Sequence, residues 1–258
     1  MSSAKKVVLL GREDKQTAIL YHSLRSEFPI AKVIVEKPES RLEFVKRRIR
    51  RLGWQKTLGQ VAFRMLVMPW LRAIAYRRVQ EIIRDSRLDP SPIPQNELTR
   101  VKSVNADETI EVLQSLKPSV VVVSGTRIIS ASVLNSVKAV FVNMHAGITP
   151  SYRGVHGGYW ALVQGDRDAC GVTIHEVDTG VDTGRVLAQA RIAPNESDNF
   201  ATYGFLQIAV GLPLLKKAVR DACSGQLQPA VLPIRRSQLW THPTLAEYIC
   251  HRVKSGIK

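Results

Sequence analysis

Pro118-Ser-Val-Val-Val-Val-Ser-Gly125 decides how this chain folds. Successive residues of a strand point to opposite sides, so four valines in a row make both faces apolar. A strand covered on both faces belongs inside a parallel sheet flanked by helices. Upstream lies Asn105-Ala-Asp-Glu-Thr-Ile-Glu-Val-Leu-Gln-Ser-Leu116, a predicted helix in which Asn105 and Glu108 have the spacing of a capping box. Downstream, a helix over Ala131 to Ser136 leads into a second apolar strand, Ala139-Val-Phe-Val-Asn143. The N-terminal Val7 to Leu10, Lys15 to Phe28 and Ala31 to Val35 repeat the alternation as strand, helix and strand. The expected fold is α/β, a doubly wound and mostly parallel sheet. Ligands of such sheets bind beyond the carboxyl ends of the strands, which points to Gly125 to Ile129 and to Asn143 to His145.

The 258 residues, 45% apolar, suffice for one large α/β domain. The expected division is a catalytic domain over residues 1–225, with a helical basic insertion at about 40–88, and a short C-terminal extension over 226–258. The tail Val231-Leu-Pro-Ile-Arg-Arg begins as a predicted strand and ends, near Glu247, as a small helix. Arg64 and Pro69 interrupt the most apolar helical stretch, so no transmembrane segment is predicted. Met1-Ser-Ser-Ala-Lys-Lys leads into an apolar run too short for a signal-peptide core, and a cytoplasmic protein is expected. Cys170, Cys223 and Cys250 have no ligand or disulfide spacing, which predicts no metal site and no disulfide framework.

The net charge is +15, and its placement is informative. Between Arg41 and Arg87 thirteen lysines and arginines face only Glu43, Glu81 and Asp85, a net +10 in one segment. Gly53 and Pro69 should divide that segment into two or three helices. Its basic residues read either as a solvated surface or as a collar for a phosphorylated or nucleic-acid acceptor. Trp54 and Trp70 are expected to pack rather than to meet a membrane. The turn Gly11-Arg-Glu-Asp-Lys15 holds a single glycine, which excludes a dinucleotide fingerprint there.

The chemistry is concentrated in Phe141-Val-Asn-Met-His-Ala-Gly-Ile-Thr-Pro-Ser-Tyr-Arg-Gly154 and in Gly171-Val-Thr-Ile-His-Glu-Val-Asp-Thr-Gly-Val-Asp-Thr-Gly184. Asn143 and His145, two residues apart at a strand end, face one cleft. An amide donor can hold an oxygen that gains charge, and an imidazole can carry a proton near neutral pH. A carboxylate from the later loop, Asp182, would orient His145 and favour its protonated form. Asp178 is a rival for that role. His175 divides evenly between cleft and core.

These motifs resemble those of the folate-dependent formyltransferases, through Asn-x-His, the following Pro and Tyr-x-Gly, the strand Gly-Val-Thr-Ile-His and the closing Val-Asp-Thr-Gly. The resemblance implies a Rossmann-like catalytic domain with Asn143, His145 and Asp182 as the catalytic set, and 10-formyltetrahydrofolate as formyl donor. Arg127, Ile128 and Ile129, with Val177, Thr179, Gly180 and Val181, match the segments that wall the pterin pocket. Tyr152, Arg153, Gly154 and His156 fall on the acceptor side, with Arg153 expected to reach an anionic substrate. Two departures matter: Ala146-Gly-Ile-Thr-Pro after the histidine alters the acceptor side, and the Gly-rich phosphate loop of glycinamide ribonucleotide enzymes is missing. The implied activity is formyl transfer to the amine of a small-molecule acceptor, phosphorylated or not, such as a nucleotide-linked amino sugar. Alternatives are a formyl-carrier hydrolase, a methionyl-tRNA-type enzyme, for which the tail is too short to supply the usual β-barrel, and a non-catalytic RNA- or membrane-surface-binding protein. A homodimer is left open.

Overall fold

A computed structural model describes residues 5–233 and 235–258. Met1–Ala4, on which the absence of a signal peptide was partly read, and Ile234 of the predicted tail strand lie outside the described residues. The chain runs β1 (Val7–Gly11), α1 (Lys15–Arg25), β2 (Ile30–Glu36), α2 (Arg41–Leu52) and α3 (Trp54–Ala62). After a π-helical turn at Phe63–Val67 come α4 (Met68–Ile74), α5 (Tyr76–Asp85), β3 (Leu98–Val101), α6 (Asp107–Leu116), β4 (Val120–Val123) and α7 (Ala131–Leu134). Then follow β5 (Val140–His145), β6 (Arg153–Gly154), α8 (Gly157–Val163), β7 (Gly171–Glu176), β8 (Val186–Arg191), α9 (Tyr203–Ser224), β9 (Leu239–Trp240) and α10 (Leu245–Ser255).

Seven strands form one sheet in the order β3-β2-β1-β4-β5-β7-β8, and β6 pairs with β9 in a separate two-stranded ribbon. The first five are mutually parallel, while β7 joins β5 antiparallel and β8 joins β7 antiparallel. The valine run behaves as its pattern requires. Val120 and Val122 pack with α1 and α9, and Val121 and Val123 pack on the opposite face with Val104, Leu113 and Val133. A third cluster joins Phe63 and Leu71 of the insertion to Tyr152, Tyr159, Trp160 and Tyr248.

Several predicted elements need correction. Asn105 does not cap α6, whose N-cap is Ala106 with no side-chain cap bond. Its amide instead donates to the Ile128 carbonyl (2.9 Å) and accepts from Ser130 N–H (2.8 Å), a two-ended bridge that a cap would forgo. Glu108 accepts from Lys102 N–H rather than from residue 105. Pro69 does not break a helix: it sits in the first turn of α4, directly after the π turn, whose wider winding accommodates a residue with no N–H to donate. Gly53 does separate α2 from α3, and α3, the π turn and α4 form one unbroken rod. The tail strand begins at Leu239 rather than Val231, whose side chain is fully exposed. Trp54 and Trp70 are not packed away; both are exposed. Among the described residues no helix is long and apolar enough to cross a membrane.

Candidate active site

The crossing of β5 and β7 builds the centre of the site. In their antiparallel register Asn143 lies opposite His175, and His145 opposite Thr173. Asn143 and His145, on alternate positions of β5, therefore share a face, with His175 on the neighbouring strand beside Asn143. Asp182 enters from the β7–β8 loop in a left-handed conformation (φ 51°), which Asp and Asn adopt more readily than bulkier residues. Its Oδ2 accepts from Gly154 N–H at 2.9 Å and lies 3.3 Å from His145 Nδ1. Its Oδ1 lies 3.5 Å from both Asn143 Nδ2 and His175 Nε2. The three residues picked from the sequence thus meet on one carboxylate.

Neighbouring atoms fix each group. His175 Nδ1–H donates to the Glu176 carbonyl (2.7 Å), which leaves Nε2 as acceptor for the Asn143 amide at 3.0 Å. His145 Nε2–H donates to the Tyr152 carbonyl at 2.7 Å. That contact depends on Gly147. A Cβ there would collide with the Tyr152 carbonyl and come within 2.8 Å of His145 Nε2.

Burial pushes the His145 pKa down, and although Asp182 and the Tyr152 carbonyl push it up, burial outweighs them. The expectation that Asp182 would favour a protonated His145 therefore holds for the pair but not for the net balance. For Asp182 burial acts upward, yet the close approach of His175 and His145 and the Gly154 N–H hold the carboxyl below its usual value. The resting pair is a carboxylate beside a neutral imidazole, one proton short of an ion pair.

Around this centre the residues expected to wall the pterin pocket fall into two groups. Ile129 is buried in an apolar cluster that includes Phe141 and has Val177 packed against it. Ile128 is half exposed beside them. Arg127 faces away, with its N–H and Nη1 on the buried Glu36 (2.9 and 3.3 Å) and Nη2 on the Lys37 carbonyl, which fixes the loop rather than a ligand. Thr179 and Val177, with Leu134, Phe141 and Asp178, also line an open groove of about 400 Å³ beside the loop. Asp178 accepts from Gly180 N–H and from Thr183 Oγ1, which ties it to its own loop.

On the acceptor side Gly154 holds Asp182 through its backbone. Arg153, expected to reach an anionic substrate, instead donates from Nη1 to the Val181 carbonyl at 3.0 Å, and its Nε is buried without a partner. The Tyr152 ring points into the core, where it stacks on Trp240 and its hydroxyl donates to Asp166. His156 bonds His242 across 2.9 Å, and Gln60 of α3 donates to the His242 carbonyl at 2.6 Å. Burial, with Arg64 and Arg48, holds His156 down to about 3. Burial, His156 and the same arginines hold His242 down to about 2. The sequence had singled out neither His242, 86 residues from its partner, nor the Tyr152 carbonyl and Gly147; only the His175 position in the Gly-Val-Thr-Ile-His strand carried a signal. Among the described residues no cluster of three or more His, Cys, Asp or Glu could hold a metal ion.

Comparison with known proteins bears on the same segment. Residues 78–203 match the formyl transferase family. A methionyl-tRNA formyltransferase of Thermodesulfovibrio yellowstonii is 32% identical over 133 residues, 51% of this chain and 43% of that protein. One of Kosmotoga olearia is 30% identical over 152 residues, 56% of this chain and 49% of that protein. The chain thus spans less than half the length of these curated relatives. Among solved structures, glycinamide ribonucleotide transformylase 1 of Symbiobacterium toebii shares the fold at a TM-score of 0.57 and 18% identity, covering 92% of this chain and 95% of that one. A 4-N formyltransferase of Francisella tularensis does so at 0.56 and 15%, covering 91% and 75%. Residues 78–203, just under half of the chain, are thus similar to the formyl transferase family, and β4, β5, β7 and the loop that carries Asp182 all lie within that matched segment.

Proposed function

We propose that the chain transfers a formyl group from 10-formyltetrahydrofolate to the amine of a small anionic acceptor, a nucleotide-linked amino sugar being the type that fits best. The observation that supports this reading is the meeting of Asn143, His145 and His175 on Asp182. Ile128, Ile129, Val177 and the Thr179–Val181 backbone would hold the carrier, since Val177 packs against the apolar cluster that buries Ile129, and Ile128 is half exposed. The bound carrier supplies the electrophilic formyl carbon. As an amine attacks, charge builds on the formyl oxygen, and Asn143 Nδ2 can turn its longer contact, 3.5 Å to Asp182, toward that oxygen. The proton lost by the amine passes to His145 Nδ1, where it is shared with Asp182 Oδ2 at 3.3 Å, and it then goes to the carrier's nitrogen as the bond from that nitrogen to the formyl carbon breaks and tetrahydrofolate departs. Forming that buried ion pair restores the missing proton of the resting site.

For the acceptor, Arg48 and Arg64 lie close enough to His156 to depress it, and among the described residues neither forms an ion pair. Arg48 donates only to the neutral Gln60 (Nε, 3.0 Å). Unmatched positive charge beside the cleft supports a phosphorylated acceptor. Residues 226–258 serve in this reading as an extension that braces the 1–225 catalytic unit through the β6–β9 pair. The names of the sequence relatives favour a second reading, with methionyl-tRNA as acceptor.

The deciding assay combines the purified chain with 10-formyltetrahydrofolate and a panel of nucleotide-linked amino sugars, amino acids and aminoacyl-tRNA, and weighs the products by mass spectrometry. A formylated sugar nucleotide is expected, and formylated methionyl-tRNA would select the second reading. Free formate with no formylated amine would instead show a hydrolase and overturn both.

A further inference from the structure

We propose that the rod formed by α3, the π turn and α4, together with the outer face of α10, is a docking surface for an anionic lipid bilayer. Fifteen large apolar side chains are exposed among the described residues; nine lie within residues 42–76 and two on α10. Apolar exposure this concentrated marks a binding surface. Along the rod Trp54, Leu58, Ala62, Leu66, Trp70 and Ile74 recur at every fourth position. Trp54, Leu58, Leu66, Trp70 and Ile74 are 63%, 61%, 65%, 46% and 51% exposed. In an uninterrupted α-helix each step of four overshoots a turn by about 40°, so five steps would carry the row to the far side. The wider π turn at Phe63–Val67 takes up part of that drift. The result is an outward stripe about 30 Å long.

The opposite side of the rod is occupied. Phe63 and Leu71 are fully buried, Phe63 against Tyr248 and Phe200, and Gln60 is bonded to the His242 carbonyl. Among the described residues the stripe therefore has no apolar element packed over it. It continues onto α10, where Arg252 lies 5.1 Å over the Trp70 ring and Ile249 and Val253 are exposed.

Charge selects the occupant. Residues 54–74 contain no Asp or Glu, Lys56, Arg64 and Arg72 on the same rod are all exposed, and Arg252 reaches over the Trp70 ring of the stripe itself. A second copy would bring one segment of net +10 against another, which opposes a dimer through this face. Nucleic acid would match the charge but would leave Leu58, Leu66 and Ile74 facing phosphate. Exposed aromatic and aliphatic side chains on a basic rod without carboxylates suit the boundary between acyl chains and anionic headgroups.

The test sediments the full-length protein with vesicles of phosphatidylcholine carrying about one part in three phosphatidylglycerol, and with vesicles of phosphatidylcholine alone. Partition onto the anionic vesicles should exceed that onto neutral ones by about tenfold or more, and Leu58→Gln/Leu66→Gln/Ile74→Gln should lower it by about tenfold at an unchanged melting temperature. Tryptophan emission should shift to shorter wavelength and lose acrylamide quenching on the anionic vesicles, a response belonging to Trp54 and Trp70 because Trp160 and Trp240 already stack on one another. The proposal falls if wild-type protein ignores both vesicles or binds both equally, or if the triple variant binds as well as wild type. It also falls if the chain is a dimer that the variant dissociates, or if single-stranded RNA displaces the vesicles.

Discussion

Asp182 accepts from the Gly154 N–H and meets His145, His175 and Asn143 from a left-handed backbone position. Asn tolerates the same φ, so Asp182→Asn should keep the backbone and remove the carboxylate that stabilises a protonated His145; a loss of ~10²-fold or more in kcat at an unchanged circular-dichroism spectrum is expected. Asn143→Ala should lose a similar factor. Cys170, buried and pushed up to about 12 by burial, is no nucleophile: Cys170→Ala should retain activity, and alkylation at neutral pH should label the exposed Cys250 instead, as peptide mapping would reveal. His156 and His242 are neutral in the folded chain, whereas an unfolded chain protonates histidine near pH 6.5. Their contribution to stability is therefore complete above about pH 6.5 and declines as pH falls toward about 3. The melting temperature should drop across that window, and His156→Gln/His242→Gln should flatten the slope. At this scale the sequence displayed Asn143, His145 and Asp182 because each carries its chemistry in its side chain. The Tyr152 carbonyl and Gly147 were illegible, because a backbone oxygen and a missing Cβ acquire meaning only once the chain has turned back on itself.

The loops that wall the cleft are held by elements that never face it. Asn105, just before α6, bridges the Ile128 carbonyl and Ser130 N–H. Asn105→Ala should loosen that wall, raising KM for the folate by several-fold with a smaller change in kcat, measurable in steady-state kinetics. Gly147→Ala should push His145 off the Tyr152 carbonyl and cut kcat about tenfold or more while KM moves little. β9 pairs with β6 beside Gly154, and Trp240 stacks between Tyr152 and Trp160 at 5.8 and 4.7 Å. Trp240→Ala should cost about 3 kcal/mol in denaturant unfolding. The strands were readable from the sequence because two-sided burial leaves an unbroken apolar run, as in Val120–Val123. The fate of Asn105 was not, because the same amide that can cap a helix can as readily tie down a loop twenty residues away.

Across the whole molecule, the parallel strands β1 to β5 contain only half of the catalytic centre. The remainder arrives with β7, whose antiparallel entry sets Asn143 against His175 and returns the chain at Asp182. Sequence alternation predicted the parallel portion and was silent about this reversal, since a strand's direction is fixed by the path of its connections and not by its own composition. Because side chains alternate along a strand, a slip of one residue in that pairing would present Ile174 or Glu176 to Asn143 in place of the imidazole. On the proposed reading, activity would be coupled to the completion of the sheet: a nascent or partly opened molecule that lacks its β7 edge would be inert, and no intermediate on the way to the native state would squander the formyl carrier.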